Sequence, residues 1–541
     1  MLIKIDRFNG QVESVEARKL DKSFATTARN CRLTSGSLEP LKGPLFKTAW
    51  GATYASIYQY LPNEWFTFTG DVDVARTPIA YDTTDRVYYT GTGYPKQTNN
   101  TLALSNGVQP AAAYRLGVPV GTQVLLAVTG DPDPEQEGLE STVYYVYSLV
   151  TAWGEEGPPS PVSTAATITD GQEVTLTFPS LPTGNYNFGS GALIRVYRSN
   201  SGSVATAFQF LVDLPLGTGT YKDTLPAAGL GEVIPSTLWD APPDDDGTRY
   251  PSGEMLGLRA LPSGVMVGYS GNTLVYSEAY LPHAWPYAYP INDTIVGIEV
   301  TSQGVLIGTN GKPVMAIGLD PQSIVIQELD ERRACVSKRS MVDMGEFAIY
   351  ASQDGLVGIE NGSVSLLTEG LFSREQWQRF KPESIHAYRW EGGYVAFWDN
   401  PDDLQKGGFI FAPGQKNSAF IELDFYASAG HYSARDDILY LQVADDLIEF
   451  DRGTDLEYLW RSKEFQLPQP TAFSVLQVHA DTYPVNVNLY RDNVLEVYTV
   501  ANERPVRLAA GRNTLLSIEL QGTATVHDVS VATSPTELAN D

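Results

Sequence analysis

Short apolar runs, joined in pairs by polar turns, recur five times between Val265 and Phe450. In each copy two apolar runs flank a connection rich in Gly, Asn, Asp or Ser, which is typical of a β-hairpin. The segments are too short and too rich in glycine for the helices of a solenoid, so the sequence predicts an all-β chain. The paired runs are Gly264–Val267 and Leu274–Tyr276, Val305–Ile307 and Val314–Ile317, Phe347–Tyr350 and Leu356–Ile359, Tyr394–Phe397 and Phe409–Phe411, and Ile438–Leu441 and Leu447–Phe450.

Successive turns lie roughly 40 to 50 residues apart, the repeat length at which each unit is a small antiparallel sheet of a β-propeller blade. A single hairpin is unstable in water, whereas sheets stacked around an axis bury one another's faces. The aromatic runs Ala55–Tyr60, Trp65–Phe68 and Arg86–Thr90 predict one more blade. The sequence therefore predicts a β-propeller of about six blades.

An insertion separates this additional blade from the five hairpins. It starts at the acidic, Pro-rich Asp131–Glu135 and ends near Pro226 to Pro243. Together with the loop Gly154–Pro161, its strands resemble a fibronectin type III or immunoglobulin-like sandwich, which implies no activity. The strands predicted from alternating apolar and polar positions are Val143–Val150, Glu173–Phe178, Leu193–Arg198, Ala207–Val212 and Tyr221–Asp223.

The two ends of the chain have patterns of their own. Residues 1–50 form a polar, turn-rich strip that predicts an N-terminal arm, packed either on its own chain or on a neighbouring subunit. Longer alternating runs predict a C-terminal β-sandwich-like domain over residues 461–541, with a loose tail from Pro535. The predicted domains are thus 1–50, 51–125, 126–235 for the insert, 236–460 for the main propeller part, and 461–541.

One helix is predicted, from Ser373 to Phe380. Ser373 followed by Gln376 is a capping-box pattern, and Pro382 ends the segment. A single helix among so many strands is expected at a subunit or blade contact.

The charge balance of the chain argues against one class of function. The chain has 37 Lys and Arg against 64 Asp and Glu, a net charge of −27. Tight binding of DNA by phosphate contacts is excluded, because it requires Lys and Arg to displace counterions. The charge either confers solubility alone or creates a surface that repels nucleic acid and lets it slide.

Two cysteines, Cys31 and Cys335, indicate no disulfide framework and a reducing site of folding, and both are expected to be buried. The N-terminal residues lack the apolar core of a signal peptide. No run of about 20 apolar residues predicts a membrane span.

No catalytic, cofactor-binding or metal-binding residue is predicted. The five histidines are scattered, Gly268–Gly271 falls short of a nucleophile elbow, and Gly91–Gly93 lacks the Lys of a phosphate-binding loop. Clusters of aspartates offer carboxylate oxygens to calcium, but they lack EF-hand spacing, which favours solvated turns. These clusters are Asp244–Asp246, Asp402–Asp403, Asp436–Asp437 and Asp445–Asp446.

Three segments resemble the tail nozzle proteins of short-tailed bacteriophages, a family also described as tail tubular or packaged-DNA-stabilisation proteins. They are Ala28–Pro40, Asp85–Gly91 and Val275–Pro286. Residues 331–384, with the predicted helix, are similar to the layout of that family. The residues that carry the resemblance are Asn30, Gly36, Leu38, Pro40, Ser277, Pro282, His283, Trp285 and Pro286.

The resemblance implies a structural virion protein without enzymatic activity or cofactor. Such proteins form a ring, typically of about six copies, below the portal and adaptor rings. The implied partners are further copies of the chain, the adaptor, and tail fibres or a needle. The implied location is the virion tail, after synthesis in the host cytoplasm. DNA would leave through the lumen without specific binding, and carboxylates on the lumen wall would keep friction low.

A different class remains open, namely a propeller adhesin or glycan hydrolase at a tail tip. In that case the inserted sandwich would bind carbohydrate, and Trp153, Trp377 or Trp390 would stack on sugar rings.

Overall fold

The protein is all-β, with strands in nearly all of its regular structure. The structure, a computed structural model, describes residues 1–131, 140–169, 172–201, 206–413 and 419–539. The chain forms two compact units. Unit 1 comprises Met1–Gly70, Val296–Ala316 and Gln327–Asp541, and unit 2 comprises Asp71–Ile295 and Ile317–Ile326.

The strands before the insert are short, and many are separated by turns of a few residues. They are β1 Leu2–Ile5, β2 Ala25–Arg29, β3 Cys31–Arg32, β4 Glu39–Pro40, β5 Leu45–Ala49, β6 Ser56–Leu61, β7 Glu64–Phe68, β8 Asp73–Arg76, β9 Val87–Thr90, β10 Lys96–Thr98 and β11 Tyr114–Arg115. The strands of the insert are β12 Leu125–Thr129, β13 Ser141–Val143, β14 Tyr145–Val150, β15 Ala166–Ile168, β16 Glu173–Thr177, β17 Leu193–Ser201, β18 Thr206–Pro215 and β19 Thr220–Asp223.

The remaining strands follow the insert. The first group is β20 Leu256–Ala260, β21 Met266–Ser270, β22 Thr273–Tyr276, β23 Tyr287–Pro290, β24 Ile295–Thr301, β25 Gly304–Thr309, β26 Val314–Ile317, β27 Val325–Glu328, β28 Val342–Asp343, β29 Ala348–Ala351, β30 Leu356–Glu360 and β31 Ser363–Leu366. The second group is β32 His386–Trp390, β33 Gly393–Asn400, β34 Gln405–Ala412, β35 Ala419–Leu423, β36 Ala429–Ser433, β37 Ile438–Val443 and β38 Asp446–Glu449. The last group is β39 Tyr458–Ser462, β40 Phe465–Thr471, β41 Val475–Ala480, β42 Val485–Arg491, β43 Val494–Val500, β44 Val506–Arg507, β45 Asn513–Gly522 and β46 Val526–Ala532.

Helices are short. The α-helices are α1 Asn100–Ala103, α2 Arg374–Gln378 and α3 Pro535–Ala539, and single 3-10 turns occur at Ala227–Gly229, Pro321–Ser323, Lys338–Ser340 and Pro382–Ser384. The predicted helix is confirmed as α2, because Ser373 and Gln376 form a capping box and Pro382 follows. The tail was expected to be loose, which is wrong for Pro535–Ala539, and Asn540 and Asp541 lie outside the described residues. No helix among the described residues is long and apolar enough to cross a membrane.

All five predicted hairpins are confirmed. They are β21–β22, β25–β26, β29–β30, β33–β34 and β37–β38, and each lies inside a larger sheet. Three of these sheets are meanders of four consecutive strands, β20 to β23, β24 to β27 and β28 to β31. The boundary between the units falls within strands of the second meander.

The predicted additional blade is wrong as a single sheet. Strands β6 and β7 pair with each other in unit 1, whereas β9 lies between β8 and β10 in a separate four-stranded sheet of unit 2. The prediction missed β8 and β10 because Asp73–Arg76 and Lys96–Thr98 are short and carry charged and polar residues. An aromatic run identified β9 as a strand, but its partner strands β8 and β10 have no such run.

The N-terminal arm packs on its own unit. Strand β1 pairs with β46, β2 lies between β35 and β39, and β5 completes the sheet of β36, β37 and β38. Of the two alternatives predicted for the arm, packing on its own chain is the one found. The strand β5 remains exposed along its length, including Leu45 and Phe46.

The predicted C-terminal strands are confirmed as β41, β42, β43, β45 and β46, but they extend sheets begun elsewhere. A ten-stranded sheet has the order β32-β33-β34-β35-β2-β39-β45-β42-β43, and β40 also pairs with β45. One apolar core in unit 1 contains side chains from Ile3 to Val531. The five-part division of the chain remains a prediction.

The insert is a two-layer structure. The sheets β12-β16-β19 and β14-β17-β18 share one apolar core that includes Tyr147, Leu176 and Ile194, and β13 pairs with β15. All five predicted strands are present, and β12, β13 and β15 are additional. The predicted start of the insert lies partly outside the described residues, from Pro132 to Glu135.

Candidate functional site: two buried joints

The motif residue Asn30 lies where three parts of unit 1 meet. It is buried and left-handed, with φ of 52°. Its backbone N–H donates to the Glu422 carbonyl at 2.9 Å, and its carbonyl accepts from the Leu41 N–H at 3.0 Å. Its side-chain oxygen accepts from the Asp424 N–H at 3.2 Å, and its amide nitrogen donates to the Glu457 carbonyl at 3.4 Å. We call Asn30 and these four backbone partners the amide joint.

Asparagine suits this position for two reasons. Its short side chain tolerates the left-handed region better than most residues, and it offers one donor and one acceptor at the same time. Buried backbone groups need partners, and here one side chain supplies two of them. The joint therefore fastens the end of β2 to β35, to the start of β39 and to the hairpin β3–β4.

The neighbouring motif residues shape the hairpin β3–β4. Gly36 has φ of 88°, which a residue with a Cβ disfavours, and its carbonyl accepts from the Phe8 N–H at 2.9 Å. Leu38 is fully buried and exchanges two backbone hydrogen bonds of 2.9 Å with Val526. Pro40 lies opposite Cys31 in the two-stranded pairing. These residues hold the chain in place and leave no reactive group free.

The second motif group forms a compact loop between β22 and β23 in unit 2. Ser277 is fully buried, donates its backbone N–H to the Met266 carbonyl, and accepts the Met266 N–H on its hydroxyl, both at 2.8 Å. The Trp285 indole N–H donates to the Pro282 carbonyl at 2.8 Å, and the Trp285 backbone N–H donates to Asp240 at 2.7 Å. Pro286 follows directly and precedes β23. These contacts fix the conformation of the loop, in which His283 is buried.

A buried ion pair connects the insert to the sheet β8–β11. The Arg86 guanidinium lies 3.1 Å from the Glu155 carboxylate, with side chains only 12% and 6% exposed. Glu155 also accepts from Gln97 Nε2 at 3.0 Å and from the Thr151 hydroxyl at 3.1 Å. Arg86 stacks over the Trp153 ring at 4.3 Å. Because both carboxylate oxygens have partners, the charge of Glu155 is satisfied without water.

The next residue, Glu156, points its carboxylate into the insert itself. It accepts hydrogen bonds from the hydroxyls of Ser148 and Tyr197, each at 2.7 Å, and from Ser236 at 3.1 Å. Arg195 Nη1 lies 2.9 Å away. The glutamate pair of the loop Gly154–Pro161 therefore anchors in two directions, one carboxylate toward β9 and β10 and the other toward β14 and β17.

His283 completes this cluster. The residue is 6% exposed, and its imidazole lies near the backbone of Glu156 and edge-on to Trp239, at 6.0 Å from that ring. Its Nε2 atom has no hydrogen-bond partner among the described residues. Burial lowers the pKa of His283, while the nearby Glu155 carboxylate raises it by a smaller amount. We call Arg86, Gln97, Glu155, Glu156 and His283 the ionic joint.

The ionic joint unites three segments that the sequence presented separately, namely Asp85–Gly91, Val275–Pro286 and the loop of the insert. Sequence reasoning did not connect them, because nearly 200 residues separate Arg86 from His283. The available signal was two adjacent glutamates in a loop bounded by glycines. Gly157 is required there, because a Cβ would lie 2.7 Å from Val118.

A pair of Glu and His side chains is also a common acid–base arrangement. In the ionic joint, however, the glutamate carboxylates already accept hydrogen bonds from neighbouring side chains. Both glutamates are buried and bonded on all sides, and Arg86 is held by Glu155 and Trp153. A general acid or base must reach a proton of a bound substrate. The joint holds elements together, as the amide joint does in unit 1.

The aspartate clusters and the cysteines considered in the sequence analysis have structural partners or are buried. Asp245 pairs with Arg115 at 2.8 Å, Asp402 with Lys381 at 2.7 Å, and Asp436 with Arg435 at 3.0 Å. In the part of the chain that the structure describes, no three His, Cys, Asp or Glu side chains gather closely enough to hold a metal ion. Both cysteines are buried, as predicted, and burial raises the pKa of the Cys335 thiol to about 12.

The three tryptophans considered for sugar stacking differ in exposure. Trp377 is fully buried in the core of unit 1, where its indole N–H donates to the Ser352 carbonyl at 2.9 Å. Trp153 has a face covered by Arg86. Trp390 is half-buried and lines a cavity.

Comparison with known proteins gives little further information. No family model matches the chain, and no curated protein matches it either. Among solved structures, one described as the extracellular domain of a one component system from B. thetaiotaomicron matches at 9% sequence identity, over 96% of this chain and 99% of that chain. Its TM-score is 0.17, which carries no argument about fold or function.

Proposed function

We propose that this chain is a structural virion protein, a subunit of the tail nozzle ring of a short-tailed bacteriophage. The ring would retain packaged DNA and conduct it during ejection. The observation that supports the proposal is where the motif residues lie in the structure. In both units most of them are buried in joints or turns that fasten strands together, as expected where a motif preserves a shape.

The proposed architecture is a β-propeller of about six blades with a fibronectin III or immunoglobulin-like insert and a C-terminal β domain. Serial antiparallel meanders support it, and so does the pairing of β5 with β38, which joins an early strand to the last of the five hairpins. Within unit 1, the sheet of β28 to β31 packs on that of β32 to β35 through a core around Trp377. Within unit 2, the sheet of β8 to β11 packs on that of β20 to β23 around Tyr88 and Trp285.

The proposed mechanism of DNA passage is electrostatic. A net charge of −27 leaves few Lys and Arg side chains to bind phosphates, and several of the arginines are engaged in ion pairs. A lumen lined by carboxylates would offer a duplex no site at which to stop. We expect an acidic lumen, and rings of Lys and Arg along most of the bore would contradict this mechanism.

The test is localisation followed by assembly. Antibodies raised against the chain should label the distal tail of intact virions in negative-stain images. Light scattering should find the purified chain forming a ring when mixed with the adaptor ring of the same virion, and not in its absence. A stable monomer that ignores the adaptor and instead binds or cleaves polysaccharide would overturn the proposal and favour the tail-tip adhesin.

A further inference from the structure

Unit 1 contains a cavity of about 440 Å³ beside the hairpin β3–β4. Its apolar part is built from the buried Leu33, Ile410 and Ile421, with Phe347 and Trp390 as half-buried walls. This volume lies in the range of small-molecule sites, which combine an apolar lining with a few polar groups. The cavity is therefore large enough for an organic molecule with an aromatic or branched body.

The wall formed by Trp390 is rigid. The Arg32 guanidinium lies over its ring at 5.1 Å, and Phe450 contacts it edge-on at 5.0 Å. A tryptophan held in this way presents a fixed aromatic surface, which favours ligands with an apolar body.

The mouth of the cavity carries more negative than positive charge. Arg32 contributes one guanidinium, but it is paired with Glu391 at 2.7 Å and also contacts the buried Asp451. Glu346, also lining the cavity, is exposed and makes no ion pair in the described parts of the chain. Among the residues that line the cavity, one cation thus faces two carboxylates, Glu346 and Glu391, so the electrostatic potential there favours a cationic group.

The backbone supports a specific role for Glu391. It occupies the first position of the two-residue turn between β32 and β33, with φ of 45°, and Gly392 follows with φ of 74°. Such turns favour Asn-Gly, because residues with longer side chains are strained in the left-handed region. Glu391 in this turn is one of the residues that line the cavity.

We propose that this cavity binds an organic cation, with its apolar body against Trp390 and its amine at Glu346 and Glu391. The same chemistry is offered by a free aromatic amine and by a tryptophan next to a lysine in a peptide. The proposal does not depend on the nozzle assignment, because it rests only on the cavity and its charges.

The test uses the full chain and a charge series on one indole body, measured by titration calorimetry. The probes are tryptamine, which is cationic, N-acetyltryptamine, which is neutral, and indole-3-acetate, which is anionic. We expect affinity to fall in that order, and the preference for tryptamine to weaken as salt is raised. Equal affinity for the three probes, or tightest binding of indole-3-acetate, would overturn the proposal.

Two variants locate the site. Glu346→Gln should weaken tryptamine about threefold to fivefold, as loss of an exposed ion pair does, and leave N-acetyltryptamine unchanged. Ala412→Leu, which narrows the cavity, should weaken the binding of all three probes. Glu369→Gln is the matched control, because its carboxylate is exposed and does not line the cavity. Tryptamine binding that Ala412→Leu leaves intact would place the site elsewhere and overturn the proposal.

A peptide probe distinguishes the two sources of the cation, a free amine and a protein segment. Tighter binding of acetyl-Lys-Trp-Lys-amide than of tryptamine would support a protein segment as the natural ligand, and the reverse order would support a free amine. Binding of methyl mannoside, with no response to tryptamine, would overturn the proposal in favour of a sugar site. Should Ala412→Leu fail to fold, as judged by circular dichroism, the charge series on the unmodified chain still decides the question.

Discussion

The amide joint of unit 1 and the ionic joint of unit 2 perform the same task with different chemistry. Around Asn30, one neutral side chain binds backbone groups of neighbouring strands, at distances from 3.2 to 3.4 Å. Around Glu155 and Glu156, buried charges are neutralised by Arg86 and Arg195 and by hydroxyl groups. The amide joint depends on the left-handed backbone conformation of Asn30. The ionic joint depends on each buried charge having its partners.

This difference predicts how each joint fails. A neutral amide does not titrate, so the amide joint depends on backbone geometry and on paired hydrogen bonds. A buried ion pair is weak evidence for stability as a whole, but removing one partner leaves an uncompensated charge. We therefore expect single substitutions to be more damaging in the ionic joint.

The largest effect is expected for Glu155→Ala. It leaves the Arg86 guanidinium buried without a counterion and removes the acceptor of Gln97, at a cost of about 3 to 5 kcal/mol in the free energy of unfolding of unit 2. Urea denaturation measures this loss of unfolding free energy, and hydrogen exchange assigns the transition to unit 2. The matched control is Glu173→Gln, whose carboxylate pairs with Lys222 on the surface of the insert, at a cost of at most about 1 kcal/mol. Similar losses for both variants would show that the ionic joint is hydrated.

A smaller loss, about 2 to 4 kcal/mol, is expected for Asn30→Ala. The substitution strains the left-handed backbone and leaves the Asp424 N–H and the Glu457 carbonyl without their side-chain partner. Asn30→Gly relieves the strain and should cost only about 1 to 3 kcal/mol, since it loses the hydrogen bonds alone. Denaturation of the two variants side by side separates the contributions. If both cost the same, the backbone conformation contributes nothing to the joint.

Acid should weaken the ionic joint through His283. Burial lowers its pKa in the folded protein below the ordinary value of 6.5, so the unfolded chain binds the proton more tightly. Stability is therefore full above pH 6.5 and falls as the pH drops below it, by about 1.4 kcal/mol per pH unit until the folded pKa is reached. Arg86, the carboxylates of Glu155 and Glu156 and the backbone of Glu156 act on the ring, and this slope holds while the three side chains keep their charge.

The measurement is unfolding free energy against pH for the unmodified chain and for His283→Gln, which should flatten the acid limb for unit 2. His386 provides the control in unit 1. It is fully buried between Tyr388 and the Ala427 carbonyl, each 3.0 Å from a ring nitrogen, and burial lowers its pKa as well. Hydrogen exchange separates the two units. An acid limb for unit 2 that survives His283→Gln would assign it to other groups.

The smallest effect is expected from salt. At about 1 M salt the screening length is about 3 Å, which weakens exposed pairs but screens buried ones much less. Both joints should therefore keep their hydrogen-exchange protection, with changes below about 0.5 kcal/mol. A larger loss confined to residues around Glu155 would contradict the burial on which the comparison depends.

Local features of the fold were predictable from the sequence. Each of the five hairpins is specified by an apolar alternation and a turn within about 20 residues, and all five are present. The helix α2 is specified by Ser373, Gln376 and Pro382, which lie within ten residues of one another. Burial of both cysteines follows from their chemistry. In these cases the determining contacts are between near neighbours in the chain.

Pairings between distant segments were decided only by the tertiary structure. Strand β9 was recognised as a strand, yet its partners β8 and β10 have no apolar run to identify them. The ionic joint combines Arg86, Glu155 and His283, each of which is unremarkable in its own segment. Arg86 and Glu155 are 69 residues apart in the sequence, and hydrophobic periodicity carries no information about which carboxylate meets which guanidinium. The sequence by itself determined an all-β chain of hairpins, whereas only the tertiary structure decided which strands meet and where charge is buried, because both depend on contacts that local pattern does not encode.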